Sequence, residues 1–377
     1  MSAAIFVFLS IYLGVSTILA SQYYGFNAEN NERVDIIVAF AMHYDSIPLK
    51  VLVNSWWEHA SKSHLCLFSN TPKSRFEGIF KEAMSSGRLH LVPVETTAQN
   101  TGTHVDRYRK VLNFIFTAHE SIRYVLHTDS RDVLIQADPF SNPYYDKIPP
   151  HQFSTAPLMF AKELCGFRYY SDDDCNINWL RTAFPGENFA DLNEKPVSCS
   201  GTVLGPVDSV MKYLRLMVTY LRPEFEKKEN KGIDQGIHNY ILYRILSKPN
   251  HTTADFSKQN ETFPFLFLDN YDVLWTVGCV PPVYLAANKG ALQMINSTYV
   301  APIVHQYDRF YENRRNYPPK FIVSNDFFCE SFDILTSHNE LYALYIASWT
   351  YAGLGRIYNL FKQVSLPGRH TRRPAQK

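Results

Sequence analysis

The sequence predicts an α/β fold, a sheet with flanking helices, and two observations lead to this prediction. Apolar strand-like runs alternate with helical runs from residue 34 to residue 128. The chain has 377 residues, of which 46% are hydrophobic and 15% aromatic, enough to bury a sizeable core. Strands that alternate with helices are typical of parallel pairing with right-handed crossovers.

The first strand and helix units lie between residues 34 and 94. Val34–Ala41 is predicted to form a buried strand, Leu49–Ser61 a helix and His64–Phe68 the next strand. A helix over Ser74–Ser85 and a strand over Leu89–Val94 complete a second strand–helix–strand step.

The next unit brings an acidic residue to the end of a strand. An amphipathic helix over Asp106–His119 leads into the strand Tyr124–Thr128, which stops at Asp129. Open α/β sheets bind ligands beyond the carboxyl ends of their strands, so Asp129 is expected at a ligand site. After Pro139 the alternation weakens and proline-rich joints appear, which indicates a mixed α+β second half.

The start of the chain indicates a compartment. Residues 3–20 carry no charge, and such a run is long enough for a signal peptide or a membrane anchor. Ala20 followed by Ser21 is a tolerable cleavage position, so both outcomes stay open. Residues 21–32 form a polar stalk in either case, and the chain is expected to enter the secretory pathway.

Sequons and cysteines agree with that compartment. Acceptor triplets begin at Asn250, Asn260 and Asn296. Six cysteines favour disulfides over metal binding in an oxidising environment, and Cys165 and Cys175 are close enough in sequence to pair.

Charge and motif content exclude several classes of protein. The chain has 37 Lys plus Arg against 36 Asp plus Glu, and its basic tail, residues 367–377, is short. A nucleic-acid partner is therefore not expected. The sequence has no G-x-x-x-x-G-K-[ST], H-E-x-x-H or G-x-S-x-G motif, so kinase-type phosphate loops, zinc proteases and serine hydrolases have no support.

The strongest local signal is Asp129-Ser130-Arg131-Asp132, directly after an apolar strand. Two carboxylates at a strand end suit a hard cation such as Mg²⁺ or Mn²⁺, which can also bridge a diphosphate. The alternative is an Asp-rich turn in which Arg131 forms an ion pair. A second acidic triplet, Asp172-Asp173-Asp174, lies in a polar segment, and a solvated loop is its favoured interpretation.

Three later segments also carry polar groups to junctions. Cys199-Ser200-Gly201 enters a strand, and its small side chains allow close approach of a ligand. Asp234-Gln235 opens a helix, where Asp is also a common N-cap. His305 follows a short apolar strand, and a lone histidine is more often a structural residue than a ligand.

In the order of these segments, residues 34 to 312 resemble glycosyltransferases of the GT-A fold, and among them the retaining, glycogenin-like families. The resemblance implies a GT-A domain over residues 33–366, in which a Rossmann-like mixed sheet is flanked by helices. This domain would have a nucleotide-binding half at 33–140 and an acceptor half at 141–366. The family spaces its two motif acids two residues apart, whereas here the spacing is three.

The resemblance also implies roles for individual residues. Asp129, Asp132 and His305 would hold the metal. Asp234 and Gln235 would act near the anomeric carbon. The donor site would comprise Arg107, Asp129, Arg131, Ser200 and Gly201.

The implied activity is sugar transfer from a nucleotide-sugar, most simply a UDP-sugar, with Mn²⁺ or Mg²⁺. The acceptor would be a glycan, protein or lipid hydroxyl in the Golgi or endoplasmic reticulum lumen. The chain would be a single-pass type II membrane protein there, or secreted if cleaved after Ala20. Two alternatives stay open: a secreted glycan-binding protein without turnover, and a metal-dependent hydrolase in which the same carboxylates and His305 activate water.

Overall fold

The computed structural model describes residues 33–44, 46–94, 103–163, 174–226, 232–247, 265–268, 272–277, 285–288, 291–294 and 298–307. Within these ranges, no helix is both long enough and apolar enough to cross a membrane. The predicted signal or anchor segment, the stalk, the three sequon asparagines, Cys165 and the basic tail lie outside the described residues.

A seven-stranded sheet forms the centre of the molecule, in the order β3-β2-β1-β4-β7-β6-β8. A three-stranded sheet, β5-β12-β9, and a two-stranded hairpin, β10-β11, accompany it. The strands are β1 Val34–Phe40, β2 His64–Ser69, β3 Leu89–Pro93, β4 Ile122–Thr128, β5 Val133–Ile135, β6 Leu158–Lys162, β7 Ser198–Pro206, β8 Phe265–Leu268, β9 Leu274–Thr276, β10 Leu285–Asn288, β11 Ala291–Met294 and β12 Ile303–His305.

Helices flank the large sheet. They are α1 Ser46–His59, α2 Ser74–Glu77, α3 Lys81–Ser85, α4 Thr103–Ala118, α5 Asp174–Ala183, α6 Val207–Tyr220 and α7 Ile233–Tyr240, with a π-helical extension of α7 over Ile241–Leu246. A mixed sheet between helices confirms the predicted α/β class.

The alternation of side chains along β1 explains why both faces of the sheet are covered. Successive strand residues point to opposite faces. Ile36 therefore packs in one core cluster with Tyr108 of α4 and Val210 of α6. Ile37 packs in the other, with Trp56 of α1. Because both faces are buried, the sequence of β1 from Ile36 onward is a continuous apolar run and does not alternate between apolar and polar residues.

Strand direction changes in the second half of the sheet. β3, β2, β1 and β4 are mutually parallel, as the strand and helix alternation predicts. β7 runs antiparallel to both β4 and β6. The parallel pairing expected for the first half therefore holds, and the antiparallel β7 makes the sheet mixed, in agreement with the predicted fold class.

The helix predicted over Ser74–Ser85 is also corrected. The structure divides it into α2 and α3, separated by Gly78, Ile79 and Phe80. Phe76 and Phe80 both turn into the core and stack on each other. Their packing against the sheet overrides a continuous helix here.

The small sheet determines where the late histidine lies. β12 pairs antiparallel with β5, so that His305 lies opposite Val133, and it pairs parallel with β9. The backbone N–H of Gln306 donates to the carbonyl of Asp132 at 2.7 Å. This pairing brings the end of β12 to the turn that follows β4.

Candidate functional site

Three side chains predicted as metal ligands come together at the carboxyl end of β4. Asp129 follows β4, Asp132 precedes β5 and His305 ends β12. His305 Nε2 lies 3.2 Å from Asp129 Oδ2 and 3.7 Å from Asp132 Oδ1. One ligand atom from each residue lies within 4.8 Å of the other two. We name these three residues, whose ligand atoms are close enough to hold one metal ion, the metal cluster. The three-residue spacing of the acids thus directs both carboxylates to one imidazole.

Gly201 of β7 has no side chain, which leaves space beside this cluster. Its carbonyl accepts a hydrogen bond from the backbone N–H of Asp129 at 2.8 Å. A Cβ atom built on Gly201 would lie 2.5 Å from His305 Nε2 and 2.7 Å from Asp129 Oδ2. Both distances are too short for real contacts, so any side chain at this position would displace the ligand atoms. Glycine is therefore required by the close approach of β7 to the cluster.

The metal cluster opens to solvent on one side. The side chain of Asp129 is 32% exposed, whereas those of Asp132 and His305 are 10% and 1% exposed. A solute therefore meets Asp129 first, and Asp132 and His305 form the floor of the site.

Charge complementarity offsets the burial of these groups. Burial alone would raise the pKa of Asp129, but Arg107 and the hydrogen bond with His305 outweigh it and hold that pKa below its ordinary value. Burial would lower the pKa of His305, but Cys199, Asp132 and Asp129 together raise it well above the usual range. The two carboxylates thus favour the protonated form of the His305 imidazole.

Arg107 of α4 links the metal cluster to the start of α7. Its guanidinium forms an ion pair with Asp129 through Nη1 and with Asp234 through Nη2, the latter at 2.8 Å. Tyr108 supports the same arrangement, since its hydroxyl lies 2.8 Å from Arg107 Nη2 and 3.4 Å from Asp234 Oδ2. Asp129 is thus paired with Arg107. The contact of Arg107 with a donor diphosphate stays a prediction.

The start of α7 is fixed by a glycine. Gly232 precedes the helix with φ +85°, in the left-handed region that favours glycine. The indole of Trp179 packs where a Cβ of Gly232 would lie. This contact between α5 and α7 positions Asp234, in the first turn of α7, beside Arg107.

Gln235 is held by a second polar group of residues. Its Nε2 donates to Glu163 Oε1 and to Asn176 Oδ1, both at 2.8 Å. Both amide hydrogens are used in this way, so Oε1 remains as the hydrogen-bonding atom available to a ligand. The catalytic roles of Asp234 and Gln235 stay predictions.

The structure places the remaining predicted residues in different ways. Ser200 is buried on β7, next to Gly201. Arg131 is exposed, and its carbonyl accepts a hydrogen bond from the Tyr307 hydroxyl at 3.3 Å.

Sequence reasoning missed several polar residues of this region. Glu163 and Asn176 lie at either side of residues 164–173, which are not described, and nothing in their local sequence marks them. Asp172 and Asp173, of the alternative acidic triplet, lie in that undescribed stretch. Tyr108 directly follows Arg107. Only the helical periodicity of α4 could have indicated that Tyr108 lies beside Asp234.

No family model and no curated protein matches the chain. Several glycosyltransferases are among the solved structures that it resembles. The bifunctional glycosyltransferase WbbM is 12% identical over 83% of this chain and 53% of its own, with a TM-score of 0.39. GlyE of Streptococcus pneumoniae TIGR4 is 13% identical over 85% of this chain and 64% of its own, also at 0.39.

A third structure is a glycosyltransferase involved in glycosylation of the major capsid of PBCV-1, 10% identical over 74% of this chain and 98% of its own, at 0.34. The chain spans about half the length of WbbM and under two thirds of GlyE. Similarity at this level assigns no role to any residue of this chain.

Proposed function

We propose that this chain is a metal-dependent glycosyltransferase that uses a nucleotide-sugar donor. The observation that carries the proposal is the convergence of Asp129, Asp132 and His305 at the carboxyl end of β4. This is the edge at which α/β sheets bind ligands. Asp234 lies next to this site, because Arg107 pairs with both Asp129 and Asp234. The candidate cation site and a further carboxylate therefore lie in one region.

The residues present fit a divalent cation. Two carboxylates provide the oxygen ligands that Mg²⁺ and Mn²⁺ prefer, and an imidazole nitrogen favours Mn²⁺ over Mg²⁺. The absence of a side chain at Gly201 leaves room at His305 Nε2 and Asp129 Oδ2, the atoms that would bind the cation. When bound, the cation would supply positive charge to a leaving diphosphate.

The protein groups have separable tasks in this proposal. Asp129, Asp132 and His305 hold the cation. Arg107 holds Asp129 and Asp234 in position through its two ion pairs. Gln235 presents its amide oxygen, because Glu163 and Asn176 occupy its nitrogen. A carbonyl oxygen at that position can accept a hydrogen bond from a sugar hydroxyl or face a cationic anomeric carbon.

Finer features belong to the proposal as well. A UDP-sugar is the preferred donor, and the acceptor is a hydroxyl of a glycan, protein or lipid. The reaction is retaining, with Asp234 or Gln235 stabilising the sugar on the face of the leaving group. The uncharged run at residues 3–20 supports action in the Golgi or endoplasmic reticulum lumen, by a membrane-anchored or cleaved form.

The test is thermal unfolding of the full chain with UDP, GDP or CMP, each with and without Mn²⁺. A ligand that binds only the native state raises the melting temperature. At a ligand concentration of 100 Kd, it stabilises the native state by about 2.7 kcal/mol. We expect a shift with one nucleotide that requires Mn²⁺. The corresponding nucleotide-sugars are then assayed for hydrolysis and transfer.

The alternatives give different results. A glycan-binding protein would show no metal-dependent nucleotide shift and would bind oligosaccharides instead. A metal-dependent phosphate-ester hydrolase usually needs two cations. The described part of the chain contains one group of three potential ligands. Cleavage of the nucleotide's phosphate esters by the protein, without sugar transfer, would replace this proposal with the hydrolase.

A further inference from the structure

A buried thiol touches the imidazole of the metal cluster from behind. Cys199, on β7, is 2% exposed, and its Sγ lies 3.4 Å from His305 Nδ1. The other ring nitrogen, Nε2, faces Asp129 and Asp132. The two nitrogens of the ring thus contact different groups. Nε2 faces carboxylates, and Nδ1 faces sulfur.

The ring needs a fixed tautomer to act as a ligand. A neutral imidazole donates from one nitrogen and accepts at the other, and a cation binds the nitrogen without the proton. Binding through Nε2 therefore places the proton on Nδ1, and Nδ1–H needs an acceptor. In metal sites, this partner is usually a carboxylate, a carbonyl or a water, and its loss costs affinity. At Nδ1 of His305, the structure provides the sulfur of Cys199.

We infer that Cys199 is the positioning residue of the proposed metal site, accepting Nδ1–H of His305 so that Nε2 faces the cation. The inference rests on the proposed function, since it assigns a task within that site. Cys199 is not itself a ligand, because its sulfur contacts the ring nitrogen remote from the carboxylates.

Another donor at the sulfur supports its role as an acceptor. Gln306 Nε2 donates to Cys199 Sγ at 3.8 Å. A cysteine sulfur is a weak hydrogen-bond acceptor, in keeping with these contacts to nitrogen.

The geometry also predicts which substitutions are tolerated. Serine keeps an acceptor at nearly the same place. Alanine removes it, and valine removes it without leaving a cavity. Cys66 on β2 provides a matched control, because it is another fully buried free thiol, packed among the apolar side chains of the core.

The experiment is titration of the full-length protein with Mn²⁺ alone, with free Mn²⁺ followed by electron paramagnetic resonance. It compares the wild type with Cys199→Ala, Cys199→Val, Cys199→Ser and Cys66→Ala. We expect Mn²⁺ affinity to fall about 10- to 100-fold for the alanine and valine variants, the usual cost of losing such a partner. We expect the serine variant to stay within about threefold of the wild type, and Cys66→Ala to bind like the wild type.

Near-ultraviolet circular dichroism and the melting temperature confirm that each variant is folded. A folded alanine or valine variant with wild-type Mn²⁺ affinity would overturn the inference and leave the proposed function intact. So would a serine variant as weak as alanine, since a hydrogen-bond role requires rescue. Absence of Mn²⁺ binding by the wild type, with and without nucleotide, would instead refute the metal site and this inference together.

Discussion

Two buried histidines lie in regions of opposite character. His305 belongs to the metal cluster, with Asp129 and Asp132 at one ring nitrogen. His238 of α7 lies in the core, where Nδ1 contacts the Tyr213 hydroxyl and Nε2 contacts the Ser198 hydroxyl, both at 2.8 Å. We name His238, Tyr213 and Ser198 the core triplet. Both imidazoles are at most 1% exposed.

The two regions shift the pKa of a histidine side chain in opposite directions. Burial, reinforced by Arg107, lowers the pKa of His238 to about 3. At His305, the neighbouring Cys199, Asp132 and Asp129 overcome burial and raise the pKa well above the ordinary value. Burial alone therefore does not distinguish a site histidine from a core histidine. The charge of the groups that face the ring does.

The largest expected effect comes from removing a ligand charge. Asp132→Asn replaces a buried carboxylate of the metal cluster with a neutral amide. We expect Mn²⁺ affinity to fall at least about 100-fold, which is about 2.7 kcal/mol, and the metal-dependent nucleotide shift to disappear. Calorimetric titration of the variant with UDP and Mn²⁺ measures this. Unchanged affinity would remove Asp132 from the site.

Alanine at each histidine should separate binding from stability. His305→Ala should weaken Mn²⁺ binding about tenfold or more and leave the protein folded, since Arg107 still pairs with Asp129. His238→Ala should leave Mn²⁺ affinity unchanged. It should lower the free energy of unfolding by about 2 to 3 kcal/mol, because the buried hydroxyls of Tyr213 and Ser198 each lose one hydrogen bond.

Urea unfolding and Mn²⁺ titration of both variants give the two readouts. The comparison predicts that only His305→Ala changes Mn²⁺ affinity, whereas His238→Ala changes stability alone. If His305→Ala lost stability but retained Mn²⁺ affinity, His305 would be as structural as His238, and the metal cluster would lose its nitrogen ligand.

The smallest effect is a difference in pH dependence. The folded pKa of His238 lies below the unfolded value of 6.5, so the unfolded state binds more protons between pH 6.5 and about 3. His238 therefore makes the protein less stable as the pH falls through that window. His305, whose folded pKa is raised, contributes the opposite sign: its stabilisation is present below pH 6.5 and is lost as the pH rises through the folded pKa.

Urea unfolding at pH 7 and pH 5.5 should show a smaller acid loss in His238→Asn than in the wild type, by about 1 kcal/mol per pH unit. His64 and His90, each with a folded pKa lowered to about 4 mainly by burial, retain their own acid sensitivity in both proteins. An equal acid loss in the two proteins would mean that His238 is already protonated in the fold.

Much of the first half of the fold follows from the sequence, because its signals are local. The apolar run at 34–41 and the turn residues after Phe68 mark strand ends within a residue or two of β1 and β2. The direction of β7 is different. An apolar run is the same in either direction, so the antiparallel pairing of β7 with β4 depends on the path of the chain between them.

The candidate site divides in the same way. The carboxylates of Asp129 and Asp132 can be recognised in the sequence because they follow a strand. The bridge from Arg107 to Asp234 joins residues 127 apart and has no local signature. Cys199 stood within a recognised motif, but its contact with His305 depends on the register of β12 with β5. Sequence thus indicates which groups can act, and pairing of distant strands determines which of them meet.

The uneven exposure of the metal cluster has a kinetic consequence. His305 and Asp132 lie behind Asp129, so a cation bound to all three has its exit on the Asp129 side. A diphosphate resting on that cation would cover the same exit. Nucleotide and cation would then leave in a fixed order, nucleotide first, and exchange of bound Mn²⁺ with the medium would slow whenever the nucleotide is in place.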